Sequence, residues 1–207
     1  MNLSRSDILD AATAILDEYG LADLTMRRLA TSLGVQPGAL YWHFPNKQTL
    51  LGAVSDRILE DVDAPLTTPR PWDEQVRALA HRLRDALLAH RDGAELVSAS
   101  YSSRLSNSRA RDAFSTALSG GGLSTDHTEL ASHVLLHFVL GLTTSEQSRS
   151  QLEEMNALTR GGISPDAPAV DPERDSDLVT ADPAARFEFG LDTFVDGIGQ
   201  RLAAEVR

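Results

Sequence analysis

Residues 24–51 read LTMRRLATSLGVQPGALYWHFPNKQTLL, and this segment carries most of the information about the architecture. Leu29, Ala30, Leu33, Val35 and Leu40 fall at the spacing of two short helices that lock together across a turn. Thr25 suits the N-cap of the first, because its hydroxyl can accept a free first-turn N–H. Gly34 gives the turn a backbone freedom that a Cβ would deny. Gln36-Pro37 opens the second helix, since proline lacks only an N–H that is unpaired at that position anyway. Pro45 ends it after Phe44. The predicted unit is a helix-turn-helix.

The same segment is electrostatically exceptional. The 207-residue chain has a formal net charge of −11, which repels nucleic acid if spread evenly. From Leu24 to Ser55 there is no Asp or Glu, where 30 acids in 207 residues would place about four or five by chance. Arg27, Arg28 and Lys47 give this window +3 and leave −14 for the rest. A buried segment poor in all charge is the plain alternative. The second helix would expose Gln36, Pro37, Gly38, Tyr41, Trp42 and His43. A recognition helix reads base edges with its N-terminal end, and Gly38 and Ala39 are small enough to approach the groove floor and thymine methyls. Tyr41, His43 and Lys47 are placed for phosphate, Thr25 lies at a helix N-terminus that attracts anions, and Arg27 suits a bidentate contact to guanine. Leu40 and Trp42 are read as packing. His43 is equally well a plain surface histidine, and Arg28 is either solvated or paired with an acid.

Toward the N-terminus, Ile8, Ala12, Ile15, Leu16 and Tyr19 form one apolar stripe between a cap at Ser6-Asp7 and a stop at Gly20. A fourth helix from Lys47 shows Leu51, Val54, Ile58 and Val62 on one face, and Pro65, Pro69 and Pro71 mark a linker. The expected division is a helix-turn-helix DNA-binding domain with its connecting helix over 1–62, and a larger helical domain for ligand binding and dimerisation over 63–207. The second part opens on a helix with Trp72, Val76, Leu79, Leu83, Leu87 and His90. Short helices are expected near 94–101 and 106–118, with Gly120-Gly121-Gly122 as a break. Residues 130–144, LASHVLLHFVLGLTT, hold no charge. A helix apolar all round is buried on more than one face, here against a partner subunit on one side and a core or cavity on the other. Residues 145–182 predict a short helical continuation and then a mobile loop. A last helix from Pro183 carries Phe187, Leu191, Phe194, Val195, Ile198 and Leu202. No strand pattern of useful length occurs, so the predicted fold is all-α with about nine or ten helices. The absence of cysteine excludes a disulfide scaffold and thiolate chemistry and fits a reducing cytosol. No run approaches the roughly 18 apolar residues of a membrane span, and the N-terminus lacks an apolar signal core. A cytoplasmic location away from membranes is expected.

Residues 24–51 resemble the DNA-binding domain of the tetracycline-repressor (TetR) family of transcriptional regulators. LLAHRDGA (87–94), HFVLGL (137–142) and FEFGLDTFVDGI (187–198) resemble the C-terminal domain of that family. The resemblance implies a homodimeric, all-helical repressor with a small inducer inside its C-terminal domain. Two long C-terminal helices from each subunit would form a four-helix dimer interface. By the same resemblance, Arg27, Gln36, Pro37, Gly38, Tyr41, His43 and Lys47 fall on positions that contact a palindromic double-stranded operator. Members that bind tetracycline hold its magnesium through a His after the HRDG motif and a Glu after the HF-x-LG motif. Those positions are Val97 and Ser145 here. Positions that hold the drug fall on Asp63, Leu79 and Leu83, and Ser100 replaces a hydroxyl conservatively. Magnesium needs oxygen or imidazole ligands. The expected effector is therefore a small apolar or amphipathic molecule other than tetracycline–magnesium, with no cofactor and no obligatory metal.

His133 and His137, four residues apart on the charge-free helix, have a metal-ligand spacing. Without an obvious third ligand, the plainer reading is a core or pocket histidine bonded to a neighbour. With Leu136, both join the candidate ligand pocket. Three classes of function compete: a repressor released from its operator by a small molecule, a DNA-binding regulator that ignores small molecules, and a helical metal-dependent enzyme using His133 and His137. The enzyme reading leaves the acid-free window unexplained, and the chain is read as a regulator.

Overall fold

The computed structural model describes residues 3–65, 70–105, 109–160 and 182–205. Every regular element among them is a helix: α1 (Arg5–Tyr19), α2 (Met26–Ser32), α3 (Pro37–Tyr41), α4 (Lys47–Ile58), α5 (Trp72–Leu88), α6 (Gly93–Ser102), α7 (Arg109–Ser119), α8 (Thr125–Arg160) and α9 (Pro183–Glu205). Residues 1–144 and 145–207 form two compact units, and α8 passes from the first into the second.

In the first unit α1 buries the expected stripe of Ile8, Ala12, Ile15 and Leu16. Its cap is Ser4, not Ser6. The Ser4 hydroxyl accepts from the Asp7 N–H at 3.1 Å, and the Asp7 carboxylate accepts from the Ser4 N–H at 2.9 Å, so only Ser4 has an acid three residues on to close a capping box. The Ser4 hydroxyl and N–H hold the Asp7 carboxyl below its usual range. The box is therefore complete at neutral pH and is lost as pH falls through that lowered value.

The helix-turn-helix forms as read. Gly34 sits at φ 65°, and the Val35 N–H reaches the Ala30 carbonyl at 3.0 Å, which tightens the turn. Leu24, Leu29, Ala30, Leu40 and Phe44 are buried beneath it. The head packs α1 on α2, α2 on α3 and α1 on α4. Helix α4 also packs on α6, and its buried face includes the small residues Gly52 and Ser55. A Cβ at Gly52 would overlap the Leu105 carbonyl, so the absent side chain is what lets the two backbones approach.

Behind α4, α5 packs on α6 and α7 and buries Val76, Leu79, Ala80, Leu83 and Leu87. The expected helix from 106 begins at Arg109; residues 106–108 lie outside the described residues. The glycine break accommodates Trp72, whose ring would lie 2.8 Å from a Cβ on Gly121. The charge-free helix buries one of its two apolar faces within the chain, and the face expected against a partner subunit is exposed in the single chain. Ala131, Ser132, Leu135, Leu136, Val139, Leu140 and Thr143 are buried, while Leu130 (65% exposed), Val134 (55%), His133, His137 and Gly141 face outward. One stripe suffices for the core of this chain, and the other is apolar surface.

In the second unit α8 runs on to Arg160, well past the short continuation expected. Its sequence there favours helix through Glu, Gln, Leu and Arg, holds no Gly or Pro before Gly161, and carries an Arg149–Glu153 pair at 3.2 Å. The rest of the expected loop, 161–181, lies outside the described residues. Asp182 caps α9 by accepting from the Ala185 N–H at 2.9 Å, and α9 buries Phe187, Leu191, Val195 and Ile198. No helix among the described residues is long and apolar enough to cross a membrane.

Gly52→Ala is expected to force α4 away from Leu105 and destabilise the protein by about 1–3 kcal/mol. Thermal unfolding would then show a midpoint several degrees lower, about 2–4 °C per kcal/mol in a chain of this size. An unchanged midpoint would mean that the close approach is unimportant.

Candidate nucleic-acid interface and adjoining cavities

The exposed side of α3 follows from its buried side. Leu40 and Phe44, one turn apart, point inward and are 0% and 1% exposed. Trp42 lies two residues from each, on the opposite side of the turn, and is 91% exposed. The expectation that Trp42 packs is therefore corrected: Leu40 and Phe44 already fill the space beneath the helix. Gln36, Pro37, Gly38 and Tyr41 are exposed, and His43 and Lys47 are half-buried. Open space surrounds a Cβ placed on Gly38.

At the start of α2, Thr25 accepts from the Arg28 N–H at 3.1 Å and caps the helix. Arg27 is exposed, and neither its side chain nor those of Gln36, Tyr41, His43 and Lys47 makes a hydrogen bond or ion pair among the described residues. Arg28 is different. It pairs with Asp23 at 2.8 Å and lies over the Tyr19 ring at 4.2 Å, which leaves Arg27 and Lys47 as the uncommitted cations of the acid-free window. The face offers donors for phosphate and base edges, two exposed aromatics in Tyr41 and Trp42, and no carboxylate between residues 24 and 55.

The head is fastened to the helices behind it at both ends. At the end of α1, the Leu21 N–H donates to Asp92 Oδ2 at 2.7 Å, and His90 Nδ1 lies 3.0 Å from Asp17 Oδ1. Past α4, Arg82 donates to the Val62 and Ala64 carbonyls at 3.2 and 2.6 Å. Arg109 donates to the Glu60 carbonyl and to Asp63 Oδ1, both at 3.1 Å. Asp92 was visible in the sequence only as part of a motif, and nothing marked Arg82 or Arg109 apart from ordinary solvated arginines.

Two cavities flank α7. The first, about 650 Å³, lies between Asp63, Ala64, Pro65, Gln75 and Leu79 on one side and Arg109, Asp112, Ala113, Thr116 and Ala117 on the other. The second, about 700 Å³, is lined by Arg111, Asp112 and Ser115 of α7 and by Asp126, Glu129, Leu130, Ser132 and His133 of α8. The predicted ligand residues do not converge on one of these spaces. Asp63 and Leu79 line the first cavity, and His133 lines the second. Leu83, Val97, Ser100 and Leu136 are packed in the core at 0–2% exposure. His133 and His137 are surface residues, not core ones. Their rings lie 4.2 Å apart beside Tyr101, and His137 Nδ1 is 2.9 Å from the His133 carbonyl. No group of three or more His, Asp or Glu side chains able to hold a metal occurs among the described residues. Val97 offers no donor atom, and Ser145 is exposed.

Comparison with known proteins agrees with this geometry. Residues 8–54 match the family described as bacterial regulatory proteins, tetR family, and residues 64–202 match the tetracyclin repressor-like C-terminal domain. The chain is 32% identical over 203 residues to the class E tetracycline repressor protein of Escherichia coli, covering 97% of this chain and 92% of that protein. Among solved structures it resembles Mycobacterium smegmatis BioQ, with 43% identity, TM-score 0.79, and coverage of 95% of this chain and 98% of BioQ. It also resembles BioQ bound to its natural double-stranded DNA operator, with 41% identity, TM-score 0.74 and coverage of 95% and 98%.

Gly38→Ala adds a methyl into open space and favours helix by about 1 kcal/mol. It is expected to leave the unfolding midpoint unchanged or slightly raised while weakening duplex DNA binding at least several-fold in fluorescence anisotropy. Undiminished binding would remove Gly38 from the contact surface.

Proposed function

The chain belongs to the tetR family of bacterial regulatory proteins, DNA-binding transcriptional regulators rather than enzymes, and we propose that it acts as a homodimeric repressor released from a palindromic operator by a small amphipathic effector. On this reading residues 1–62 form the operator-binding head, and residues 63–207 bind the effector and pair the subunits. Operator binding supplies its own location, wherever the chromosome is. The observation that carries the reading is the outward face of α3 and the start of α2. There, side chains suited to bases and phosphate stand uncommitted on a segment without acids, and the nearest acid in sequence, Asp23, is paired with Arg28.

The roles follow from placement. Arg27, exposed near the start of α2, reads a guanine edge through two parallel N–H donors. Gln36, Pro37 and Gly38 open α3, the end a recognition helix presents to the groove, and Tyr41, His43 and Lys47 bracket its far end against phosphate. Thr25 contributes the N-terminus of α2, while Arg28, held by Asp23 and Tyr19, keeps that surface in shape and adds charge nearby.

The cavity between α5 and α7 supports a small-molecule effector over a regulator that ignores ligands, because about 650 Å³ falls within the usual range of ligand sites. Its lining mixes Leu79, Ala113 and Ala117 with Asp63, Gln75, Arg109, Asp112 and Thr116, which suits an amphipathic molecule better than a wholly apolar one. The absence of a donor at Val97 argues against a magnesium–tetracycline chelate held as in the drug-binding members.

Selection from a randomised duplex pool tests the reading: the purified protein is expected to enrich an inverted repeat, and enrichment of nothing would sink it. On the enriched duplex, Arg27→Ala is expected to lose about 1–3 kcal/mol of discrimination against the altered guanine position. Affinity should fall with added salt on a shallow slope, because few cations reach the backbone. Unchanged selectivity would deny Arg27 a base-reading role.

A further inference from the structure

Resting on that reading, we infer that Arg109 is the positioning residue through which the cavity between α5 and α7 communicates with the operator-binding head. Helix α4 ends at Ile58, and the chain continues in tight turns to Ala64 through Leu59 N–H to Ser55, Val62 N–H to Leu59 and Ala64 N–H to Asp61 carbonyl bonds. These turns present the Glu60, Val62 and Ala64 carbonyls as acceptors outside the helix, and a carbonyl kept from water needs a donor. Two guanidinium groups meet this segment from behind. Arg82 holds the Val62 and Ala64 carbonyls, and Arg109 holds the Glu60 carbonyl together with the Asp63 carboxylate.

The two latches differ in one respect. Arg109, Asp63 and Ala64 line the cavity, and Arg82 does not. A ligand in that space touches the Arg109 latch directly.

The opposite end of the head is fastened out of the ligand's reach. Asp92 stands at the N-cap of α6 in a left-handed conformation, φ 55°, and its side chain makes no capping bond to α6. It turns instead to the Leu21 N–H at the end of α1. Gly20 is pressed so close that a Cβ there would lie 2.7 Å from Asp92 Oδ2. His90 and Asp17 close the same joint, and none of these residues lines the cavity. The head thus has a joint at Asp92, remote from ligand, and beyond α4 two latches, Arg82 and Arg109, of which only Arg109 is open to ligand. Freeing Arg109 loosens the Glu60–Asp63 turn while Asp92 and Arg82 still hold.

This arrangement sets the chemistry of the effector. A wholly apolar molecule resting on Leu79, Ala113 and Ala117 leaves the Arg109 bonds intact. An effective one carries a charged or hydrogen-bonding group that takes Arg109 from Asp63 and Glu60, or Asp63 from Arg109.

Arg109→Leu in the full chain reproduces the unlatched state without any ligand. Affinity for the inverted-repeat duplex recovered by the wild-type protein is expected to fall at least tenfold. Amide hydrogen exchange is expected to rise across residues 55–64 while the Leu21 amide and the α5 and α8 amides keep wild-type rates. Arg109→Lys, which retains one donor group, is expected to restore part of both effects, and it carries the exchange measurement if the leucine variant does not fold. Wild-type affinity with unchanged exchange at 55–64 overturns the proposal, and so does a loss of protection spread evenly over α5 and α8. If the wild-type protein enriches no duplex, the operator reading fails by itself, and the exchange pattern still decides whether Arg109 latches α4.

Discussion

The turns that follow α4, from Glu60 to Ala64, are held by charge, and on the proposed reading the link from the cavity to the head runs through that hold. Helix α4 belongs to the head by its packing on α1 and to the helices behind by its packing on α6. Its middle is pinned where Gly52 meets Leu105, and the turns just past its end are gripped by Arg82 and Arg109. Twelve residues make a rod about 18 Å long. A tilt of about 10° moves the far end of such a rod by about 3 Å, close to the rise of one base pair. Small rearrangements at the cavity wall therefore suffice to spoil the fit of two heads to one duplex, provided that α4 moves as a rigid body. Its reciprocal Asn46–Thr49 cap and the buried Leu50, Val54 and Ile58 keep it one.

Electrostatics impose the second constraint. A chain of −11 net charge approaches DNA only through a surface from which acids have been removed, and residues 24–55 form that surface. Even there one cation is withdrawn, because Asp23 lies just before the window and takes Arg28. What remains is a small set of directed contacts: Arg27, Lys47, helix N-termini, and the hydroxyl, imidazole and amide groups of α3. On the proposed reading, pairing two such heads at a fixed separation would convert a few contacts per half-site into selectivity. Moving a two-state protein from 1:99 to 99:1 requires an effector to prefer one state by about 5.5 kcal/mol, roughly what a handful of charge-assisted bonds in a cavity provides.

The head was legible in the sequence because each of its features has a local cause. Gly34 marks a positive φ, Pro37 a first helical position, and the Leu29, Ala30 and Leu40 spacing a buried seam. Trp42 was misread because an aromatic residue beside Leu40 suggests packing until Phe44 is seen to fill the space. The cap falls on Ser4 and not on Ser6 because a capping box needs its acid three residues on, where Ser4 has Asp7 and Ser6 has Leu9. The ligand region was less legible. Candidate ligand positions fall among core (Leu83, Val97, Ser100, Leu136), cavity walls (Asp63, Leu79, His133) and surface (His137). Arg82, Arg109 and Asp92 act through contacts 18 to 71 residues away in sequence, and no periodicity encodes contacts of that kind. The outward apolar stripe of α8 was anticipated as a second buried face, and within one chain it stands exposed at Leu130 and Val134.

The account is tested most directly by varying the distance between half-sites. Two recognition helices in a symmetric pair fit major grooves one helical turn, about 34–36 Å, or a multiple of it apart. With the enriched inverted repeat as parent, binding is measured on duplexes carrying insertions of about five and about ten base pairs at its centre. The account predicts that the half-turn insertion reduces affinity to that of random duplex, with two protomers bound per parent site. Equal affinity on every spacing, or one protomer per site, would contradict it.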